Sequence, residues 1–369
     1  MKKIISVILL TLISIIAVIG IIIGSIVFVL YLKDKEYQKY SGHGFAYMHG
    51  YSSTDFTGYH VYDGDKLVRL NHEPAFVIES EEDMPILDGA EACYPIYTAV
   101  AKTLYKDIDK IEDEIRKQVE NKTGDWSEED AVYYKNNGKI VTFTNSKVGY
   151  YRLIDGEADL FFGARPSKEQ LDYAQSEKKE IESIVIGKEA FVFFVEEDNP
   201  IEDISSDDLR KIYSGQIRNW KELGGKNQKI IAFQRPEDSG SQVMMHYFMK
   251  DVPLKEAETV EMIDAMSGLV KKVKQYHNEQ GALGYTFRYF LEGLQQEKGV
   301  RMLSVDGVYP SVENIKNNTY PIIADLVVSK LKDNEKNNVN KMIEFLLSQD
   351  GQYIIEKTGY GGLGESAAE

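Results

Sequence analysis

From Phe233 to Met249 the chain reads Phe-Gln-Arg-Pro-Glu-Asp-Ser-Gly-Ser-Gln-Val-Met-Met-His-Tyr-Phe-Met. An apolar run ends at Phe233, a loop carries one arginine, and Val243, Met244, Tyr247 and Phe248 then recur at helical spacing. A helix beginning at Ser239-Gly240-Ser241 presents unpaired backbone N–H groups at the positive end of its macrodipole. Ser239 and Ser241 add hydroxyl donors, Gly240 lets the backbone approach closely, and Arg235 offers a charged fork. This is the chemistry of an anion site, and its plain alternative is an ordinary helix cap. His246 lies seven residues beyond Ser239, two turns or about 10 Å away, too far for a nucleophile and base pair. No nucleophile elbow occurs. The acid runs Glu81-Glu82-Asp83 and Glu128-Glu129-Asp130 lack the glycine and alternating spacing of a calcium loop. No catalytic residues, metal ligands or cofactor are therefore expected, and the chain does not read as an enzyme.

The elements that would position this stretch belong to a chain of 369 residues, 43% hydrophobic and 28% charged, enough for two globular lobes. A net charge of −16 argues against nucleic-acid binding, which needs clustered Lys and Arg. A small anion is still admissible, because a buried site answers to nearby dipoles. Cys93, the single cysteine, forbids an intrachain disulfide and reads as a buried small side chain. Met1-Lys2-Lys3 precedes an uncharged apolar run from Ile4 to Leu32, long enough to cross a bilayer. Residues 1–32 are expected to be a single-pass transmembrane anchor at the cell membrane, with the main body outside. A cleaved signal peptide would have a shorter apolar core. Residues 33–74, polar and tyrosine-rich, read as a spacer or small appended element.

Beyond about Ala75 an apolar run, a short polar or glycine turn and an amphipathic helix recur. Met84–Leu87 leads through Asp88-Gly89-Ala90-Glu91 into a helix with Pro95 in its first turn. Lys139–Phe143 leads through Thr144-Asn145-Ser146 into a helix closed by Gly156, and Ala158–Phe162 leads through Gly163-Ala164-Arg165-Pro166 to a capping box at Ser167 and Gln170. Helices are also expected over Ile108–Asn121, Ser127–Tyr134, Met262–Tyr276 and Asn337–Ser348, with Ser205 and Asp208 capping another. Repetition of such units predicts doubly wound α/β sheets with ligands at the carboxyl ends of their strands. Lobe one is placed at 75–182 and 287–369, and lobe two at 183–286, an insertion into the first.

At this point the chain resembles the phosphate-binding subunits of bacterial phosphate ABC importers, within the type II periplasmic-binding-protein fold. The resemblance rests on Asp88-Gly89-Ala90 with Tyr94-Pro95, on Leu153–Asp159, on Ile212–Gly215 with Asn219-Trp220, on Arg235–Ser241, on Gly281–Tyr285, and on Tyr309-Pro310-Ser311 with Tyr320-Pro321. It implies two lobes closing on a dehydrated tetrahedral oxyanion, inorganic phosphate, delivered to importer permease subunits of a Gram-positive-type bacterium. By the same resemblance Arg235, Ser239, Gly240 and Ser241 hold the ligand from lobe two. Asn145 and Ser146, with Ala90 and Glu91, hold it from lobe one. Two departures stand out. Glu91 occupies a position where the family commonly has threonine, and Arg165 lies where many phosphate binders carry an acid that accepts the ligand's proton. Either Glu91 replaces that acid with Arg165 balancing its charge, or Glu91 repels anions and the fold serves as a sensor, structural or interaction module with altered or lost oxyanion binding; Arg165 reads equally as a surface cation paired with one of the many acids. Lys147 adds charge near the second loop or is simply solvated.

Overall fold

The computed structural model describes residues 14–30, 56–121, 138–235, 237, 239–257, 269–270, 273, 280–295 and 298–364. The chain divides into two units, 1–47 and 48–369. In the first, residues 14–30 are helical, with Ile15, Ile19, Ile22, Ile26 and Phe28 among its exposed apolar side chains. Among the described residues no helix is long and apolar enough to cross a membrane. The expected anchor extends beyond this helix at both ends, outside the described residues. The helices expected at Ser127–Tyr134 and across most of Met262–Tyr276 also lie outside them.

In the second unit β1 (Leu87–Gly89) runs into a 3-10 turn, Glu91–Cys93, and then α1 (Tyr94–Leu104) and α2 (Ile108–Glu120). There follow α3 (Asn145–Asp155), β2 (Leu160–Gly163), α4 (Lys168–Ser176) and the long β3 (Ile181–Glu196). Next come β4 (Asp203–Ile204), α5 (Ser206–Tyr213), β5 (Lys229–Ala232), α6 (Gly240–Met249) and β6 (Gln280–Phe287). The chain closes with β7 (Val300–Met302), β8 (Ser304–Val305), α7 (Val312–Lys316), β9 (Ile323–Leu331), α8 (Asn337–Leu347) and α9 (Gln349–Thr358). Local chemistry sets many of these boundaries. Ser167 and Gln170 form the expected capping box of α4, Ser205 accepts from the Asp208 N–H to cap α5, and Gly156 stops α3 in the left-handed region.

The main sheet runs β1-β2-β9-β3-β6-β5, with β7 also on β3. It is mixed rather than purely parallel: β1 with β2 and β5 with β6 are parallel, whereas β9 and β6 both pair antiparallel with β3. The first ten residues of β3, Ile181 to Ala190, face β9, and Phe191 to Val195 face β6. One strand therefore serves both lobes. Two buried cores flank that crossing: Leu87, Ile96, Leu104, Phe162, Ile186, Val328 and Ile355 belong to one, and Phe193, Trp220, Ile231, Phe248 and Leu283 to the other.

These cores move the lobe boundaries. Residues 287–322 were expected in lobe one, yet Phe290, Leu291, Leu303, Val305, Ile315 and Tyr320 lie in the second core. β7 pairs with Phe194–Glu196 and β8 with β4, so the chain returns at Ile323, not 287. The segment's strands are very short and their partners lie about a hundred residues upstream in sequence, so no local periodicity marks their lobe. Nor could periodicity show where a continuous strand changes sheets. Residues 56–74, expected within the spacer, pack as part of lobe one: Phe56, Val61 and Leu67 join its core, and the Phe56 ring lies 4.5 Å from Tyr94 and 5.2 Å from Phe143.

At the crossing, the buried Glu189 carboxylate accepts from the Ala190 N–H at 2.7 Å and the Tyr289 N–H at 3.2 Å. Burial pushes its pKa from the ordinary 4.5 up to about 7, with the backbone donors and Arg288 opposing the rise. The folded state thus favours the protonated acid. Its stabilising contribution is complete below 4.5 and is lost as pH rises through about 7. Urea unfolding from pH 4.5 to 8 should show wild type losing, on the order of, 3 kcal/mol relative to Glu189→Gln. Parallel pH profiles for the two proteins would refute this.

Candidate anion-binding site

The lobe-two half is built where β5 ends. Its loop passes Arg235, which is 4% exposed, and reaches Ser239, the N-cap of α6, whose hydroxyl oxygen accepts from the Gln242 N–H. Gln242, in the first turn, is buried, and its Oε1 accepts both the Arg235 N–H at 3.2 Å and the Tyr285 hydroxyl. Tyr285 also accepts from the Arg235 N–H at 3.0 Å. The guanidinium thus stands on a backbone pinned from two sides, held by residues that sequence reading overlooked. Burial, the largest influence, raises the Tyr285 phenol, while the nearby Arg235 charge lowers it, so Tyr285 stays neutral and able to donate.

The lobe-one half begins at α3. Asn145 has φ of 74°, a left-handed conformation that asparagine tolerates better than most side chains. Its Oδ1 accepts from the Lys147 N–H at 2.9 Å and the Val148 N–H at 3.2 Å, capping the helix from inside its first turn. That use of the oxygen leaves the amide nitrogen facing elsewhere. Among the described residues, Asn145 Nδ2 and Ser241 Oγ are buried side-chain atoms without a hydrogen-bond partner. Such atoms are costly unless something binds them.

What sets the position of α3 is Asp88. Its fully buried carboxylate accepts from Gly89 N–H at 2.8 Å, Thr144 N–H at 3.0 Å and the Thr144 hydroxyl at 2.7 Å, and it pairs with the Arg152 guanidinium. Arg152 also donates to the Thr142 hydroxyl at 2.7 Å. One carboxylate thereby joins the end of β1, the residue before α3 and the last turn of α3.

The two halves meet. A Cβ added to Gly240 would stand 2.9 Å from Ser146 Oγ and 3.5 Å from Ala164 Cβ, so the first turns of α3 and α6 abut, and a side chain at 240 would displace the Ser146 hydroxyl. A Cβ on Gly163 would lie 3.3 Å from Ala90 Cβ, which brings the first loop alongside. Ala90, Ser146, Ala164 and Gly240 therefore line one junction, with Arg235, Ser239 and Ser241 on its lobe-two side and Asn145 on its lobe-one side. Two positive helix ends facing one another, with a buried guanidinium and buried donors, suit a compact anion.

Glu91 is buried as the first residue of its 3-10 turn, beside this junction. Arg165 does not balance it: that guanidinium donates to Asp325 at 2.9 and 3.1 Å, with both side chains 43% exposed. The short link from β2 to α4 turns Arg165 outward toward an acid on β9. Lys147 is buried rather than solvated, as its place in the first turn of α3 against α4 requires; Gln170 Nε2 donates to the Ser146 carbonyl at 3.0 Å across the same contact. Cys93 is buried as expected, and burial raises its thiol to about 12, which keeps it protonated and unreactive. Among the described residues no cluster of His, Cys, Asp or Glu could hold a metal ion.

Comparison with known proteins gives consistent findings. A family model described as a PBP superfamily domain matches residues 117–350. The phosphate-binding protein PstS of Bacillus subtilis is 38% identical over 169 residues, covering 45% of this chain and 52% of that relative. The chain thus spans about half the length of that relative. The protein of the same name from Borreliella burgdorferi is 28% identical over 235 residues, covering 62% of this chain and 81% of the relative. A Clostridium perfringens protein solved with bound phosphate superposes with a TM-score of 0.51 at 19% identity, covering 75% of this chain and 98% of that one, a likeness of fold.

Removal of the Asp88 carboxylate should test the frame of the site directly. Asp88→Ala removes the buried partner of Arg152, which keeps the more exposed Glu157 at 3.3 Å, and should cost about 3 kcal/mol in urea unfolding. A loss below about 1 kcal/mol would mean that the network does not hold the loops.

Proposed function

We propose that this chain, which belongs to the PBP superfamily, is a solute-binding protein that captures inorganic phosphate between its two lobes for an ABC importer. The observation that carries the reading is the pair of buried, unpartnered donors, Asn145 Nδ2 and Ser241 Oγ, one beside each of two helix N-termini that abut at Ser146 and Gly240. A tetrahedral oxyanion supplies several acceptors at once and would satisfy both, together with the backbone N–H groups at the start of α6. Arg235 supplies the charge, the hydroxyls of Ser146, Ser239 and Ser241 supply directional donors, and the protein's overall negative charge is overcome locally. Function then consists of binding and release: dehydration of the ion inside the junction confers selectivity, and separation of the lobes at the β3 and β9 crossing releases it. No bond is made or broken.

The relatives named for phosphate binding support this choice of anion. So does Glu91, read as the acceptor of the proton on monohydrogen phosphate, a proton that sulfate lacks. In calorimetry wild type should bind phosphate and not sulfate, Arg235→Ala should lose about 2–5 kcal/mol of phosphate affinity, and Glu91→Thr should bind the two anions with less discrimination. A wild type silent toward phosphate, with a response restored in Glu91→Thr, would instead assign the fold to a sensing or structural role.

The same proposal places the body outside the cell, tethered through residues 1–32. The apolar side chains exposed along the helix at 14–30 support that reading, since lipid is their natural solvent. The full chain should sediment with membranes after carbonate washing, and a chain lacking residues 1–32 should be released. Equal release of both would refute the anchor.

A further inference from the structure

The loop that carries Arg235 and Ser239 also carries an acid. Glu237 lies between the two anion-binding positions, and its Oε2 is 2.6 Å from Nε2 of His246, in the second turn of α6. The contact therefore closes a ring through the loop, the N-cap and the first two turns of the helix. An unmasked carboxylate two residues from Arg235 and two from Ser239 acts in two ways against binding. It repels the incoming anion, and it offers the Arg235 guanidinium a competing partner. A protonated His246 cancels that charge and ties the loop to the helix whose N-terminus faces the ligand.

We infer that His246 is a positioning residue for the anion site, masking Glu237 and fixing the Arg235-to-Ser239 loop, so that phosphate affinity gains a contribution that depends on the imidazolium. The surroundings are specific. The pair lines an open groove of about 630 Å³ between the lobes, whose other wall is Pro166, Ser167, Lys168, Glu169 and Asp172. Lys168 pairs with Asp172 on the same helix, α4. Glu169 and Tyr173 on α4, the Tyr247 phenol beside His246 and Lys250 just past the end of α6 are further titratable groups on these packed elements, and Asp238 follows Glu237 in the sequence. The hydrogen bond to Glu237 raises the His246 pKa above the ordinary 6.5, and partial burial opposes the rise. Stabilisation by the pair is thus complete below 6.5 and is lost as pH rises through the raised value.

The inference rests on the phosphate reading, and its test separates the two. Phosphate dissociation constants are measured for wild type and His246→Gln from pH 6 to 9, and only their ratio is used, so the ligand's own titration cancels. The pair is half exposed, so His246→Gln should weaken binding by roughly two- to fivefold at pH 6, and the ratio should fall toward one by pH 9. His246→Lys should keep wild-type affinity at pH 6 and exceed it at pH 9. In a Glu237→Gln background, His246→Gln should change nothing. A ratio of one at every pH, or a fixed ratio that persists in the Glu237→Gln background, overturns the inference. NMR titration of the His246 ring provides a readout that needs no ligand: its midpoint should drop in Glu237→Gln, and an unmoved midpoint also overturns the inference. A wild type that ignores phosphate while this midpoint drops would count against the phosphate reading alone.

Discussion

A buried carboxylate with four partners is the constraint on which the lobe-one site depends. Asp88 has no solvent exposure, and desolvating such a charge is costly unless its lone pairs are filled. They are filled by groups that lie far from it in sequence: Thr144 is 56 residues away and Arg152 is 64. That distance gives the interaction its structural consequence. The end of β1, the cap region of α3 and the final turn of α3 are drawn to one point, which fixes where the first turn of α3 stands. The first turn then meets α6 so closely that a side chain at position 240 would have to push the Ser146 hydroxyl aside. A buried pair of this kind contributes less to net stability than to choosing one arrangement, and here the arrangement chosen presents Asn145 and Ser146 to the opposite lobe.

The two halves of the junction are pre-organised by different means. Lobe two uses neutral hydrogen bonds, with Gln242 and Tyr285 holding the backbone of Arg235. Lobe one uses the ionic network behind the loop, together with the left-handed Asn145. In each case the donors at the junction are backed by groups behind them, which would lower the ordering entropy to be met if an anion binds as proposed. The two halves are joined where β3 leaves β9 for β6, at a place marked by a buried acid.

Much of this was legible along the chain, and the parts that were share a physical reason. Helix caps such as Ser167 with Gln170 are closed within one turn, so their pattern is visible in a few residues. The motif from Arg235 to Ser241 is likewise local, because a strand end, a charged side chain and a helix start are adjacent in sequence. The hidden features are long-range. Arg152 looks like an ordinary residue of an amphipathic helix until Asp88 is brought against it, and Gln242 looks like a polar surface residue until Tyr285 arrives from β6. Residues 287–322 were misplaced for the same reason, since the partners of β7 and β8 lie in β3 and β4. Arg165 admitted two readings in the sequence, and the pairing with Asp325 favours the surface cation over a partner for Glu91.

Glu91 and Glu237 then pose one electrostatic problem with two solutions. For the proposed anion site, acids such as these on its own loops are charges that must be offset if the ligand is to bind. Glu91 is buried within the first loop, where, under the proposed function, a proton shared with monohydrogen phosphate would turn a repulsion into a hydrogen bond. Glu237 is exposed on the loop's outer side, where the cation of His246 lies within hydrogen-bonding distance. On the proposed reading the first arrangement would select among anions by their protonation, and the second would adjust the affinity for all of them together. Acids of the same sign and similar sequence distance from the ligand groups thus acquire different roles, decided by burial and by which neighbour can take or give a proton.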